Sequence, residues 1–452
     1  MISLEQVLLV LVAAPGVSFL LLGLAWLLGV QVRERATAHF TSFVFLLMTA
    51  ASAWLGWSML SEGLTSVDLT AGDWYKAGSY AFRMDLAADG LSLPLMALTS
   101  ILAGVVGKFS VRYLHREAGF QRFFMLLHLF AFGSMLIFSA GTFDLLIGGW
   151  ELVGITSVLL VAFFHQRRNP VRSSVQVYSA YKIGDLGLLL GVFVLHYFSR
   201  TADMSVLFQG TWPMQTTSLS PVATTLTGLL FLFAAAAKSA QIPFSGWLPR
   251  AMEGPTPSSA IFYGAISVHA GAYLLLRIEP VLRASPLAAA AVIAVGLLSA
   301  ILGTMIHRVA ADAKTSIVYA AMTQLGVIFM EIGFGFPRLA LAHIVGHAVV
   351  RTLQFLRAPS MLHDYHRVHA AAGGHLATTG EHYKHILPES VRMWAYRFAL
   401  DRGFYDALAS RIAVAPILAL SRWLASFEPY TAAPPPSQHL STTVEELAET
   451  KA

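Results

Sequence analysis

Apolar residues run in blocks of about 20 along most of this chain, separated by short polar stretches that hold many of its lysines and arginines. A block of that length crosses the ~30 Å hydrocarbon core of a bilayer as an α-helix. Eleven blocks are predicted as spans, near residues 5–29, 38–60, 88–109, 122–139, 141–163, 174–197, 222–240, 258–277, 286–306, 314–334 and 338–356. The first is too long for a signal-peptide core and lacks a small-residue cleavage pattern close behind it, so it is read as a span. Residues 61–87 are polar and aromatic, and "WYKAGSYAFRMDL" alternates enough to predict a small hairpin outside the lipid.

The texture changes past residue 357, so residues 1–357 are read as the transmembrane domain. Residues 358–390 form a His-rich cytoplasmic connector, with six of the sixteen histidines between His363 and His385. Residues 391–427 return to a helical pattern bearing Arg392, Arg397, Arg402, Arg411 and Arg422, which predicts a helix lying in the membrane interface. Residues 428–452 read as a Pro-rich, then acidic, disordered tail.

Composition fixes the class as an all-α polytopic membrane bundle. Hydrophobic residues make up 56% and charged residues 12%, about half the charged share of a soluble protein. The absence of cysteine removes disulfides, thiolate metal sites and cysteine nucleophiles. Lys and Arg placement sets orientation. Twelve fall on one set of connections (Arg33 to Lys314) and six on the other (Lys76, Arg83, Arg200, Arg277, Arg283, Arg338), which puts the first set in the cytoplasm and the N-terminus outside. The bilayer is the expected surround, and no nucleic-acid partner is expected.

Ionisable residues inside the spans are the informative ones, because a charge at a helix centre costs roughly 2.5–3.5 kcal/mol even on lenient insertion scales. Glu151 falls in the fifth span, Lys182 and Asp185 three apart on one face of the sixth, Lys238 in the seventh and His269 in the eighth. His343, His347 and Arg351 form a stripe at i, i+4, i+8 on the eleventh. Any one of these can be a helix-locking pair, and His128 and His196 read as packing or interfacial histidines. His343 and His347 lack the glutamate and cysteine partners of a metal site, so no metal is expected. Together, alternating carboxylate, ammonium and imidazole groups have the chemistry of a proton relay, with Glu151 approaching Lys238 as its switch. Pro243 is predicted to break the seventh helix just after Lys238 and free carbonyls for water.

Five ordered stretches carry a resemblance: "GWELVGITSVLLVAFF", "YKIGDLGLLL", "KSAQIPFSGWLPRAMEGPTPSSAIFYGAISVHAGAYLL", "ADAKTSIVYAAMTQLGVIFMEIG" and "AHIVGHAVVRTLQFL". Over roughly residues 85–360 the chain resembles the proton-conducting antiporter-like family of complex I subunits, Mrp antiporters and the DabB membrane subunits of inorganic-carbon uptake systems. The resemblance implies a helical bundle with a discontinuous seventh helix. It implies a gating pair in Glu151 and Lys238, with Lys182, Asp185, His343 and His347 as further relay groups. Tyr263 stands where complex I relatives have a histidine, His269 where some antiporters have a lysine, and Arg351 where a lysine is common. Respiratory and Mrp subunits continue through a second lysine-bearing half, and this sequence shows only one further helix after residue 360. On that ground the DabB type is the expected match. It implies a cytoplasmic carbonic-anhydrase-like partner of the DabA type that holds zinc, with no cofactor or catalysis in this chain and protons or sodium as the coupling ion. The alternatives are a subunit of a complex-I-like or membrane hydrogenase assembly, or a passive anchor for a soluble enzyme.

Overall fold

The computed structural model describes residues 3–30, 32–77, 80–358, 388–404, 411 and 415–426. Eleven helices among them are long and apolar enough to cross a membrane. They are α1 (Leu4–Leu27), α2 (Glu34–Glu62), α3 (Ser92–Tyr113), α4 (Phe120–Ser139), α5 (Phe143–Val161) and α6 (Arg168–Ser199), followed by α7 (Pro221–Lys238), α8 (Thr256–Arg277), α9 (Pro286–Val309), α10 (Ala313–Gly333) and α11 (Pro337–Arg357). The chain is thus a multi-pass membrane protein, as its hydropathy predicts.

Local signals set the helix ends. Ser3 and Gln6 close a capping box on α1, Thr142 caps α5, and Asp312 caps α10. Ser220 caps α7 and Pro221 opens it, where a missing N–H costs nothing. The predicted hairpin is present as β1 (Ser66–Ala77) antiparallel to β2 (Tyr80–Asp89), with Leu69 opposite Leu86. It defines one face of the bundle, called here the hairpin side.

Small residues let the helices approach. A Cβ at Gly296 on α9 would lie 2.5 Å from the Gly326 carbonyl of α10, and one at Gly326 would lie 2.5 Å from the Gly296 carbonyl. Gly133 and Gly149 join α4 to α5 in the same way. In lipid, where apolar burial drives little association, such close packing holds helices together.

α8 is the axis of the bundle and is buried along its whole length. It is composite: one α-turn at Thr256–Ser259, a π-helical stretch at Ala260–Ala265, then regular helix over His269–Arg277. The seventh helix is discontinuous just after Lys238, as the sequence predicts. α7 ends at Lys238, Ala240 adopts a left-handed conformation (φ 53°), and the chain continues in short 3-10 turns at Ser245–Trp247 and Pro249–Glu253. Pro243 lies within this connection. Two carbonyls at the break are taken by protein groups: Ala237 accepts from Trp247 Nε1 at 2.9 Å, and Ala236 accepts from the Gln241 backbone N–H at 2.8 Å.

Beyond α11, a twelve-residue helix α12 (Glu389–Leu400) packs on α9, and Gly403 closes on Leu302. At about 18 Å it is too short to cross a bilayer alone. An eleven-residue helix α13 (Ala415–Ala425) belongs to a separate compact unit that begins at Phe404. The single helix expected over 391–427 is therefore divided. Most of the His-rich connector, and all of the tail, lie outside the described residues.

Candidate functional site

Two polar clusters sit at mid-depth. The first joins α5, α6 and α7. Lys182 Nζ donates to Glu151 Oε2 and lies 3.2 Å from Asp185 Oδ2, so one ammonium bridges two carboxylates. Asp185 is held from its other side by Trp150 Nε1, which donates to Oδ1 at 2.9 Å. The i, i+3 spacing of Lys182 and Asp185 places both on the α6 face that meets α5. Glu151 and Lys182 are each 39% exposed and border a cleft of about 230 Å³ with Gly154, Ile155 and Tyr178, whereas Asp185 is buried.

Lys238 stands behind this cluster. It is buried, and its Nζ donates to the backbone carbonyl of Trp150 at 2.9 Å. The ammonium lies 4.8 Å from the Trp150 ring centre and 4.9 Å from that of Tyr181. Aromatic faces and a carbonyl supply partial negative charge without a formal anion. Glu151 and Lys238, the expected switch, are held apart here: Lys182 occupies the glutamate and the Trp150 carbonyl the lysine. Gly154 makes room for the ammonium: a Cβ there would lie 3.3 Å from Nζ.

The second cluster joins α8, α10 and α11. His269 Nδ1 bonds the Ala265 carbonyl, and its Nε2 lies 2.9 Å from His347 Nδ1. Arg351 Nε donates to His347 Nε2 at 3.2 Å, and Arg351 Nη2 donates to the Ala320 carbonyl at 3.0 Å. A carbonyl can only accept, so Nδ1 of His269 carries hydrogen and, with both rings neutral, Nε2 accepts from His347 Nδ1. Every ring nitrogen is then satisfied, and the last one is occupied by an Arg351 N–H. His343 turns elsewhere, to Glu331 Oε1 at 2.9 Å and Gln324 Oε1 at 3.1 Å.

A chain of hydroxyls lies between the clusters. Tyr181 and Ser157 are 3.2 Å apart, and Ser157 and Tyr263 2.8 Å apart, all buried. Tyr181 also stacks under Lys238, and Tyr263 belongs to the π-helical stretch that leads to His269. Hydroxyls donate and accept at once, so such a chain can relay a proton without carrying a fixed charge.

The structure thus groups Glu151, Lys182, Asp185 and Lys238 on one side, and His269, His347 and Arg351 on the other. His343 adjoins the second group, its ring centre 6.3 Å from that of His347. Sequence reading missed Trp150, Ser157 and Tyr181, whose types are ordinary in apolar helices. It also missed Glu331 and Gln324, which interrupt an apolar run and carry a visible signal. Arg277, read as a loop cation, is buried, and it clamps Asp89 through Nη1 at 2.5 Å and Nη2 at 3.2 Å. His128 packs, stacked on Phe45 and bonded to Thr41, as expected. Among the described residues no three His, Asp or Glu side chains are grouped to hold a metal ion.

The fold is that of a polytopic helical membrane subunit with a broken seventh helix and a buried lysine behind a carboxylate-bridged one, and comparison with known proteins gives the family. Residues 140–380 match the family model described as NADH:quinone oxidoreductase/Mrp antiporter, transmembrane region, and residues 74–124 match that of the complex I chain 5 N-terminus. The chain belongs to this antiporter-like family. It is 30% identical over 375 residues to NADH-ubiquinone oxidoreductase chain 5 of Cryptococcus neoformans, covering 82% of this chain and 55% of the relative. It is 30% identical over 341 residues to NADH-quinone oxidoreductase subunit L of Neisseria meningitidis, covering 74% and 51%. Among solved structures, the Mrp complex from a Dietzia species superposes with a TM-score of 0.64 at 26% identity, over 78% of this chain and 37% of that one. An archaeal membrane-bound sulfane sulfur reductase shares the fold, with a TM-score of 0.64 at 19% identity over 78% and 70%. The chain spans about half the length of the curated relatives it matches. These relatives favour the complex I or Mrp type over the carbon-uptake type expected from sequence.

Proposed function

We propose that this chain is a proton-translocating, antiporter-like subunit of a larger membrane assembly of the complex I or Mrp type. The observation that carries the reading is the mid-depth cluster in which Lys182 bridges Glu151 and Asp185 while Lys238 is buried behind Trp150, with no carboxylate within ion-pair distance among the described residues. When Glu151 takes a proton, its hold on Lys182 weakens and the ammonium swings fully to Asp185. The field at Lys238 becomes more positive, and its proton is driven along Tyr181, Ser157 and Tyr263 towards His269 and His347. Arg351 must release His347 Nε2 before that imidazole can accept. Relay of this kind needs neighbouring groups of comparable proton affinity, not a strong single site.

Membership of an assembly rests on exposure. An ion pair 39% exposed at mid-depth, on a helix whose outer face shows Ile183, Leu186 and Phe193, has no solvent in lipid. A helix of a neighbouring subunit covers it. A bacterial inner-membrane location, with the hairpin side and N-terminus periplasmic, belongs to the same proposal. Purification of the tagged chain in mild detergent, with identification of its companions, tests it. Membrane oxidoreductase or Mrp-type subunits are expected. A zinc-holding carbonic-anhydrase-like protein as the sole companion would replace this reading with the carbon-uptake one. A chain that purifies alone would overturn the assembly.

A further inference from the structure

A cavity of about 830 Å³ opens at the hairpin-side ends of α9, α10 and α11, and none of its lining residues belongs to either mid-depth cluster. Its walls are the first turn of α9, the connection from α10 into α11 (residues 332–339), and the short helix Glu279–Ala284 that follows α8. Pro213 and Met214 border it as well. Its volume is that of a ligand site, which typically holds roughly 300–1,000 Å³.

Three charged side chains line it. Glu279 is buried and accepts from Arg283 Nε at 2.9 Å, and Arg283 Nη2 also donates to the Pro213 carbonyl at 3.0 Å. Arg338 is exposed and has no hydrogen bond or ion pair among the described residues. Glu279 and Arg283 cancel, so Arg338 leaves the cavity with one net positive charge. Because α9 and α11 both begin here, the positive ends of two helix dipoles add to it. The remaining wall is apolar. Phe334, Phe336 and Leu339 are each more than half exposed at the ends of their spans. Deeper in the bilayer, the outer faces of α9 and α11 continue with exposed Leu298, Ile301 and Val350. A cationic mouth at the membrane boundary, set above apolar helix faces, suits a molecule with an anionic head and hydrocarbon tails.

We propose that this cavity binds an anionic phospholipid of the hairpin-side leaflet, with its phosphate on Arg338 and its acyl chains along α9 and α11. The guanidinium offers two parallel N–H donors to phosphate oxygens, which a lysine cannot match. Arg283 Nη1, without a partner among the described residues, is a further donor. One phosphodiester charge balances the site. A zwitterionic headgroup brings a cation of its own, which Arg338 and the helix ends repel.

The test uses the complete assembly, delipidated in detergent and titrated with phosphatidylglycerol, phosphatidylcholine or inorganic phosphate. Native mass spectrometry counts bound lipid, and thermal unfolding reads stabilisation. The parent is expected to hold one more phosphatidylglycerol than Arg338→Glu, in which affinity at this site falls tenfold or more. Position 338 is exposed and unpaired, so this variant should assemble as the parent does. Arg338→Lys should keep the charge and lose about threefold in affinity. Phosphatidylcholine should bind at least tenfold more weakly than phosphatidylglycerol. Unchanged phosphatidylglycerol binding in Arg338→Glu overturns the site, as does an equal affinity for phosphatidylcholine. Equal stabilisation by inorganic phosphate overturns a lipid as the occupant. A partner's segment filling the cavity would leave parent and variant with the same lipid count, and that also overturns the proposal.

Discussion

Lys238 bonds the main-chain carbonyl of Trp150 rather than the carboxylate of Glu151, the next residue along α5. That one-residue offset sets the electrostatics of the site. A lysine locked to a glutamate would be a fixed charge, whereas one held by a carbonyl and two aromatic faces responds to charges that move nearby. The offset exists because Lys182 reaches Glu151 first.

Trp150 connects the two lysines, so its indole N–H is a direct handle. Trp150→Phe keeps a ring beneath Lys238 but leaves Asp185 Oδ1 without its donor. Loss of a hydrogen bond to a charged group costs about 1.5–3 kcal/mol. Thermal unfolding in detergent should drop accordingly, and flux should fall several-fold. Unchanged stability and flux would show that the Asp185–Trp150 bond does no work.

The hydroxyl chain is tested at its centre. Ser157→Ala removes the bridge between Tyr181 and Tyr263 and leaves every charged group in place. Flux should fall about tenfold, with a stability loss on the order of 1 kcal/mol per lost hydrogen bond. Full flux in this variant would route the proton elsewhere.

The clamp on the hairpin side makes a pH prediction. Burial alone would raise the Asp89 carboxyl, but Arg277 and the Ser92 bonds outweigh it and hold it at about 2. A carboxylate depressed in the folded state contributes stability above its unfolded value of 3.8, lost as pH falls towards 2. That contribution is on the order of 2 kcal/mol at neutral pH. Asp89→Asn should be destabilised near pH 7, the gap to the parent narrowing below pH about 4. Asp89→Leu with Arg277→Met should recover much of the loss, because no buried charge is then left unpaired. Melting curves across pH check both.

Helix packing makes a further prediction. Gly326→Leu places side-chain atoms where the Gly296 carbonyl lies and should cost about 1–3 kcal/mol as α9 and α10 separate. Gly346, with nothing within 4 Å of its Cβ position, should accept alanine without loss. Equal melting temperatures for both variants would contradict the close α9–α10 contact.

Much of this was legible in the chain because hydropathy over 20 residues is a local property. The eleven spans, the hairpin, and the shared face of Lys182 and Asp185 follow from it. Pairing was not legible. Whether Glu151 meets Lys182 or Lys238 depends on how α5, α6 and α7 pack, which no local pattern records. The break just after Lys238 was legible from the proline that follows it, but not that the lysine head group bonds across to α5. Arg277 was counted among the connection cations, because its buried partner Asp89 lies nearly 190 residues away in the sequence. Trp150 gave no signal, since tryptophan in an apolar run is expected.

The central claim is that Lys238 carries a proton through the bundle. The decisive measurement is proton flux in membrane vesicles containing the complete assembly with Lys238→Met. Removing this ammonium orphans only a carbonyl that already serves its own helix, so folding and protein amount should stay close to the parent. The account predicts flux reduced at least tenfold at normal protein amount. Parent-level flux in that variant would contradict it.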